Sequence, residues 1–600
     1  MLRLRSILSR LLRWRWRLAL FICASLPLLS AFRRFLSDPS AVIGPTGLDP
    51  FFNLYILEWG ARSWAHGLHG FWSAPFYFPT HLATTLSDHL LIPSLLQLAL
   101  RTMGASPALS YNLLLLLGFL ATAFACTALL RRATRCPEWV AVALGLAVTY
   151  APWRWGQLTH FQMLWAPGPP LALLTFDALL RRPSLARAGR FVVAYLVALG
   201  AGSYLGYFTH LALGVMAVTQ MTRQRSRARW LAKWRVALAT AAICGIAALG
   251  IYYPYVASRS ALGIERSQKE IEEYGARASD WLAPSSMNRY SRFVPRTWIQ
   301  SERNLFPGVL LTGGLLFGLG LAAARKGTGS PMTLLARSLL WIGLLFMMLS
   351  SARVFVAAAG VLPGLDGMRV PTRGQLFVLL GLATISALAL KSLGARLVGS
   401  SYRRALLGLS CFGLLIPDLA VIPLPPETVF RPENAELLSG ASSVISKSPA
   451  KAIAVFPIDG GEANLKRMWR ALHYGRPIAN GYSGYHAPTF RYLRHVCRSP
   501  GRRITPRCIS ALRELGVDGV LVEDSFRELD NAAPEARVSA SVHPRSSPHL
   551  ELVYSDRESL FFLLRPEWQP SAPQAGDLPH LPERQEELDE TPPRASSKVH

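Results

Sequence analysis

Apolar runs of about 20 residues recur through the first 424 positions of the chain, separated by short polar loops. As helices, runs of that length match the ~30 Å hydrocarbon core of a bilayer. The pattern predicts about eleven spans, near 17–35, 109–130, 138–153, 163–180, 190–203, 204–221, 235–256, 308–324, 333–350, 371–390 and 404–424. The segment DHLLIPSLLQLALRTM (88–103) is apolar but short, and reads as interfacial or re-entrant. The stretch 190–221 reads as two helices because GAGSYLGY interrupts it.

From 425 the pattern changes. KAIAVFPI, DGVLVED and HLELVYS predict strands, and NLKRMWRAL and TPRCISALREL predict helices. The expected organisation is therefore a mostly α, polytopic helical bundle over 1–424, with large outer loops at 36–108 and 257–307. A small α/β or α+β domain follows over 425–565. The tail 566–600 is rich in Pro and Glu, has little to bury, and is expected to be disordered.

Composition agrees with a membrane protein: 51% of residues are hydrophobic and only 17% charged. The net charge of +28 would suit a nucleic-acid binder, but its distribution argues against nucleic acid. Arginine is concentrated in short loops beside apolar runs, as in RRATR (131–135), RRPSLARAGR (181–190) and RQRSRARWLAKWR (223–235). Such loops mark the cytoplasmic side. With the basic N-terminus inside, an odd number of spans puts 425–565 outside. Cys23, Cys126, Cys244 and Cys411 lie in apolar runs and Cys136 borders one, which fits inert packing. Cys497 and Cys508 enclose a short basic loop in the outer region, where an oxidising compartment permits a disulfide.

On this topology a set of polar groups shares the outer face: Asp49, Glu58, Asp88, His89, Arg154, Gln157, His160, Glu302, Arg369 and Arg373 among them. Together they could hold a charged lipid head while apolar helices hold its chain. Taken singly, each is as well explained as a loop polar or an inter-helix pair. Asp49 stands out. It lies between Gly47 and Pro50, where a helix starting at Pro50 would favour its anionic form. An ionised carboxylate suits proton abstraction from a hydroxyl, although the same residue type also caps helices. Asp88 and His89 could orient a phosphate, assist Asp49 or hold a divalent metal; adjacent side chains diverge on a helix, which weakens them as a ligand pair. In HYGRPIANGYSGYHAP (473–488), Arg476, Asn480, Tyr482 and Tyr485 could contact a sugar, or pack the C-terminal region onto the bundle.

The order LDPFFNLYILEW, FYFPTHLATTLSDHLLIP, ALSYNLLLLLGF, APWRWGQLTHFQMLWAP and GMRVPTRGQLFVLL, with YGRPIANGYSGYHAPTFRYL far downstream, resembles bacterial membrane proteins grouped with the GT-C glycosyltransferases, near the YfhO-like and dolichyl-phosphate-mannose-mannosyltransferase-like families. The resemblance covers roughly 15–565. It implies a bacterial inner-membrane protein with a polyprenyl-phosphate sugar donor and extracytoplasmic transfer. An acid of the first outer loop would be the general base, a position matched by Asp49. Related chains often read GDP where this one reads LDP, and the usual paired acids are missing, since Glu58 is nine residues away. That places a metal-dependent version in doubt. The implied reaction is inverting transfer to an unidentified glycan, lipid or protein of the envelope, with Arg154, Arg369 or Arg373 balancing the leaving phosphate. A lipid or polysaccharide transporter and a non-enzymatic envelope assembly factor are the alternatives.

Overall fold

The computed structural model describes residues 2–33, 37–44, 48–222, 224–264, 266–299, 301–324, 332–397, 401–422, 431–432, 439–458, 460–497, 504–523, 549–555 and 559–565. The predicted disordered tail and parts of the basic loops fall outside these residues.

The fold is mostly α, as the apolar pattern requires, but the eleven spans are not there. Among the described residues four helices are long and apolar enough to cross a membrane: Pro107–Thr134, Phe161–Arg181, Trp234–Leu262 and Pro371–Arg396. A fifth is added if Leu334–Leu349 and Ala352–Ala359, bent by 99° at their junction, count as one. The protein is thus multi-pass, with far fewer spans than the sequence pattern suggested. Length explains the difference. The run placed at 138–153 forms a helix only over Glu138–Thr149, and 12 residues rise about 18 Å, well short of ~30 Å. Trp16–Ala31, Val309–Ala323 and Ala405–Leu419 are apolar but also short. The parity argument for the side of the C-terminal region falls with the count.

Helices are labelled here in chain order: α1 Leu2–Ala31, α2 Leu48–Ala65, α3 Leu91–Thr102, α4 Pro107–Thr134, α5 Glu138–Thr149, α6 Gly168–Arg181, α7 Leu185–Leu199, α8 Ser203–Met221, α9 Trp234–Leu262, α10 Leu334–Leu349 and α11 Gln375–Arg396. Local sequence sets several of their starts. Ser106 caps α4 by accepting from Leu109 N–H, with Pro107 at the first turn, and Ser184 caps α7 through Arg187 N–H. In the core, α10 crosses α11 at paired glycines. A Cβ on Gly343 would lie 2.9 Å from the Gly381 Cα, so only glycine allows this approach. By contrast α9 leaves Leu238, Ile243, Ile246 and Leu249 exposed, as a lipid-facing helix does.

The C-terminal region holds a four-stranded open sheet, β1 Ile453–Phe456, β2 Gly519–Glu523, β3 Leu550–Ser555 and β4 Ser559–Leu564, in the order β1-β2-β4-β3. β1 and β2 are parallel; the other pairs are antiparallel. Helix α12, Glu462–Tyr474, follows β1 and packs on α2, where Arg62 donates to Leu472 O and Phe51 meets Trp469. The sheet region is also stitched to the first large loop through main chain: Tyr77 N–H to Asn480 O (3.0 Å), Phe78 N–H to Ile478 O (3.0 Å) and Ile478 N–H to Pro75 O (3.2 Å). A Cβ on Gly481 would meet the Tyr77 ring at 2.5 Å, so the absence of a side chain permits this contact.

A disulfide joins Cys497, at the end of helix Pro488–Cys497, to Cys508, near the start of helix Pro506–Glu514. Closing so short a loop stabilises by about 2–3 kcal/mol in the chain-entropy account. Alkylation of the non-reduced full-length protein should leave both cysteines unmodified. Hydrogen exchange in the two helices should accelerate in the Cys497→Ser/Cys508→Ser protein; unchanged exchange would remove the stabilising role.

Candidate functional site

Asp49 sits in the first turn of α2, and its side chain is 41% exposed. One carboxylate oxygen, Oδ1, accepts from the Tyr482 hydroxyl at 3.0 Å. The other, Oδ2, lies 3.6 Å from His160 Nε2. Asp49 therefore faces across to two other segments. Tyr482 is delivered there by the main-chain docking of 478–480 on 75–78, and its ring packs edge-on against Phe52. Burial, then the Asp49 charge, pushes the Tyr482 hydroxyl well above its ordinary value, so it stays a donor.

His160 precedes the short helix Phe161–Leu164. Its loop is pinned from α2, since Asn53 Nδ2 donates to Thr159 O at 2.9 Å. Nδ1 contacts the Thr159 hydroxyl at 3.0 Å, and Nε2 lies 3.5 Å from Glu302 Oε1 as well as close to Asp49. Burial pulls the imidazole below its ordinary value, in opposition to the Glu302 charge and in concert with Arg373, so the ring is neutral at pH 7.

Glu302 is the buried anion of the group. Its Oε1 accepts from Arg373 Nη2 at 2.6 Å and its Oε2 from Gln157 Nε2 at 3.3 Å. Thr372 Oγ1 donates to the Glu302 carbonyl at 2.9 Å. Burial alone would raise this carboxyl, but the Arg373 charge, then His160 and the hydrogen bonds, hold it at about 2. Arg373 in turn lies over the Tyr204 ring at 4.8 Å. The structure thus gathers Asp49, His160, Glu302 and Arg373 from four distant stretches of sequence.

The other residues singled out by sequence stand elsewhere. Glu58 is buried between Arg101 (3.4 Å) and Arg62 (3.7 Å) and joins α2 to α3. Arg154 is fully buried; it donates to Thr149 O, Met163 O and Leu164 O and lies over Phe119. Asp88 Oδ1 accepts from the N–H and hydroxyl of Ser203 at the start of α8. His89 bonds the Tyr255 hydroxyl and Leu199 O, and burial lowers it to about 4. Asp88 and His89 are turned to separate partners, and among the described residues no group of three or more His, Cys, Asp or Glu is arranged to hold a metal ion.

A second basic group lies around Glu270 and Tyr485; Arg369 was expected from the sequence, Arg266 and Arg491 were not. Arg369 is 3.9 Å and Arg266 3.5 Å from Glu270 Oε1. Arg266 and Arg491 flank the Tyr485 ring at 5.9 and 5.7 Å. Two guanidinium groups thus face one carboxylate while a third meets the neighbouring tyrosine, and among the described residues the buried Nε donors of Arg266 and Arg491 have no acceptor. Burial, then the Arg369 charge, pulls Arg266 below its ordinary value. Arg369 N–H donates to the Tyr204 hydroxyl at 3.0 Å, and the Tyr204 ring lies under Arg373, which links this group to the Glu302 pair.

No family profile matches the chain, and no curated protein matches it in sequence. Its fold does match solved structures. The arabinofuranosyltransferase AftD from Mycobacteria superposes with a TM-score of 0.53 at 13% identity, over 92% of this chain and 40% of that one. The archaeal oligosaccharyltransferase AglB from Archaeoglobus fulgidus, solved with an inhibitory peptide and a dolichol-phosphate, gives 0.44 at 13% identity over 86% and 70%. ArnT from Cupriavidus metallidurans, bound to undecaprenyl phosphate, gives 0.39 at 13% identity over 91% and 97%. The likeness to AftD is one of fold, and this chain spans about 40% of that protein's length. The fold of this chain is therefore similar to that of the aligned part of AftD.

The Glu302 pair makes a prediction about stability. A carboxyl held at about 2 in the fold, against about 4.5 when unfolded, stabilises fully above about pH 4.5 and loses that contribution as pH falls towards 2. His160, lowered by burial, adds a loss that begins as pH drops through about 6.5. At neutral pH Glu302→Gln should cost about 3–5 kcal/mol, because Arg373 is left buried and unpaired. Glu302→Gln with Arg373→Met should cost much less. Unfolding of the detergent-solubilised protein across pH would measure both, and equal losses in the single and double variants would refute the pairing.

Proposed function

We propose that the chain is an inverting membrane glycosyltransferase that moves a sugar from a polyprenyl-phosphate donor to a hydroxyl of a cell-envelope acceptor, with Asp49 as general base. The observation that carries this reading is the setting of Asp49: a half-exposed carboxylate with one oxygen held by Tyr482 and the other facing His160. The similarity of fold to AftD supports it.

In this mechanism Asp49 Oδ2 takes the acceptor hydroxyl proton. The acceptor oxygen forms a bond to the anomeric carbon as the bond from that carbon to the phosphate oxygen breaks. The leaving polyprenyl phosphate keeps the electron pair, and its charge is met by Arg369, Arg266 and Arg491. Arg373 is engaged by Glu302 and acts by holding that anion. Neutral His160 fixes the carboxylate from its second side.

The basic segments support an extracytoplasmic site. Arg131, Arg132 and Arg135 lie at the far end of α4 from Asn112, whose side chain bonds Ile43 N–H and Ala41 O just before α2. Lys391 donates to Thr134 O, Arg132 pairs with Asp177, and Arg229 donates to Arg181 O, so the basic loops meet at that end. Positive charge on the cytoplasmic side puts Asp49 on the other. In this arrangement 1–424 is the membrane part, and 425–565 is an extracytoplasmic part that supplies Tyr482.

Asp49→Asn keeps side-chain size and removes the base, so transfer of radiolabelled sugar from a polyprenyl-phosphate donor to an envelope fraction should fall about 10²–10⁴-fold. The variant should retain the wild-type unfolding midpoint, because Asp49 is partly exposed. Tyr482→Phe should lower the rate less, since the carboxylate remains. Undiminished transfer by Asp49→Asn would exclude it as the base.

A further inference from the structure

We infer that the end of the bundle opposite Asp49 carries a binding site for an anionic glycerophospholipid, formed by α1, α4 and α5. A cavity of about 440 Å³ lies there. Its volume is in the range of small-ligand sites. Arg17 of α1, and Arg131, Arg132 and Arg135 at the end of α4, line it together with Glu138 of α5. Leu20, Phe124 and Val142 supply an apolar wall, and Trp16 stands at its edge.

The charges in this cavity do not cancel. Glu138 is taken by Arg131. Arg132 lies 3.5 Å from Asp177, but that carboxylate also takes Arg181 at 2.9 Å and Gln220 at 3.0 Å. Arg17 and Arg135 have no carboxylate within ion-pair reach among the described residues. The cavity is therefore a concave site with uncompensated positive charge and one apolar side. A free anion would use the charge but not the wall. A lipid phosphodiester uses both, with its acyl chains running down α1 beside Leu18, Phe21 and Ile22, which are all exposed. Basic pockets between membrane helices bind anionic headgroups in this way.

The site is separate from the proposed chemistry. Arg132 follows Asn112 by 20 residues on the same helix, which is about 30 Å of rise. The inference therefore does not rest on the glycosyltransferase reading.

Native mass spectrometry of the delipidated full-length protein would test it, with phosphatidylglycerol and phosphatidylcholine of matched acyl chains as probes. The wild type should bind phosphatidylglycerol at least about tenfold more tightly, and soluble glycerol phosphate should not displace it. Arg17→Gln/Arg135→Gln should lose that preference, by about fivefold per arginine. Arg190→Gln, an exposed arginine outside the cavity, should retain it. Equal wild-type affinity for the two lipids would overturn the site without any variant. So would an unchanged preference in the double variant, or equal loss in Arg190→Gln. Displacement by glycerol phosphate would assign the cavity to a soluble anion instead.

Discussion

A carboxylate buried away from water must be paired, because an isolated charge in a low-dielectric interior costs several kcal/mol. Glu302 obeys this constraint, and much of the site follows from it. Its charge is met by Arg373 at the start of the last long candidate span and by Gln157 beside the His160 loop. Those partners bring the segments around 157–160, 302 and 372–373 to one place. His160 then stands between the buried anion and Asp49, neutral because burial outweighs the acids around it. A half-exposed carboxylate is in this way set against a rigid, charge-balanced wall, which is what pre-organised proton transfer requires.

The second half of the site comes from the far end of the chain. Tyr482 reaches Asp49 only because 478–480 pairs with 75–78 through main-chain bonds, and because Gly481 lets the Tyr77 ring lie against it. Asn480 links this docking to the sheet, since its side chain both accepts from Val455 N–H and donates to Val455 O in β1. A shift of β1 would therefore be transmitted to the hydroxyl on Asp49 through two residues. The C-terminal region contributes directly to the surroundings of the carboxylate.

The sequence made the residue types of this site legible, but not their arrangement. Asp49, His160, Glu302 and Arg373 could be named because acids, a histidine and an arginine near apolar runs demand an explanation. Nothing in local sequence distinguished them from Glu58 or Arg154, which look alike on paper and turn out to hold helices together. Arg266 and Arg491 were hidden because each is one arginine among many, and their proximity depends on Tyr485 and Glu270. The strands KAIAVFPI, DGVLVED and HLELVYS fall on β1, β2 and β3, whose alternation or continuous burial is a local property. The fourth strand, SLFFLL, was missed because a continuous apolar run has no alternation to separate a strand from a buried helical turn. The span count failed for a related reason: hydropathy records that a run is apolar, whereas crossing a bilayer needs one unbroken helix.

The two ends of the bundle differ in a way that bears on how the protein sits in its membrane. Elsewhere in the bundle buried acids have arginine partners: Glu302 with Arg373, Glu58 with Arg101 and Arg62, and Asp280 with Arg303. At the end opposite Asp49 arginine runs ahead of its acids, with Arg17 and Arg135 facing a cavity rather than a carboxylate. An uneven charge of this kind is costly in a soluble protein but stable where anionic headgroups lie at the same depth. Among the described residues four or five helices are long enough to cross, and the shorter apolar helices gain little orientation from length alone. Arginine at one end then supplies what length does not. On the proposed topology it fixes the bundle relative to one leaflet and leaves the Asp49 end towards the other.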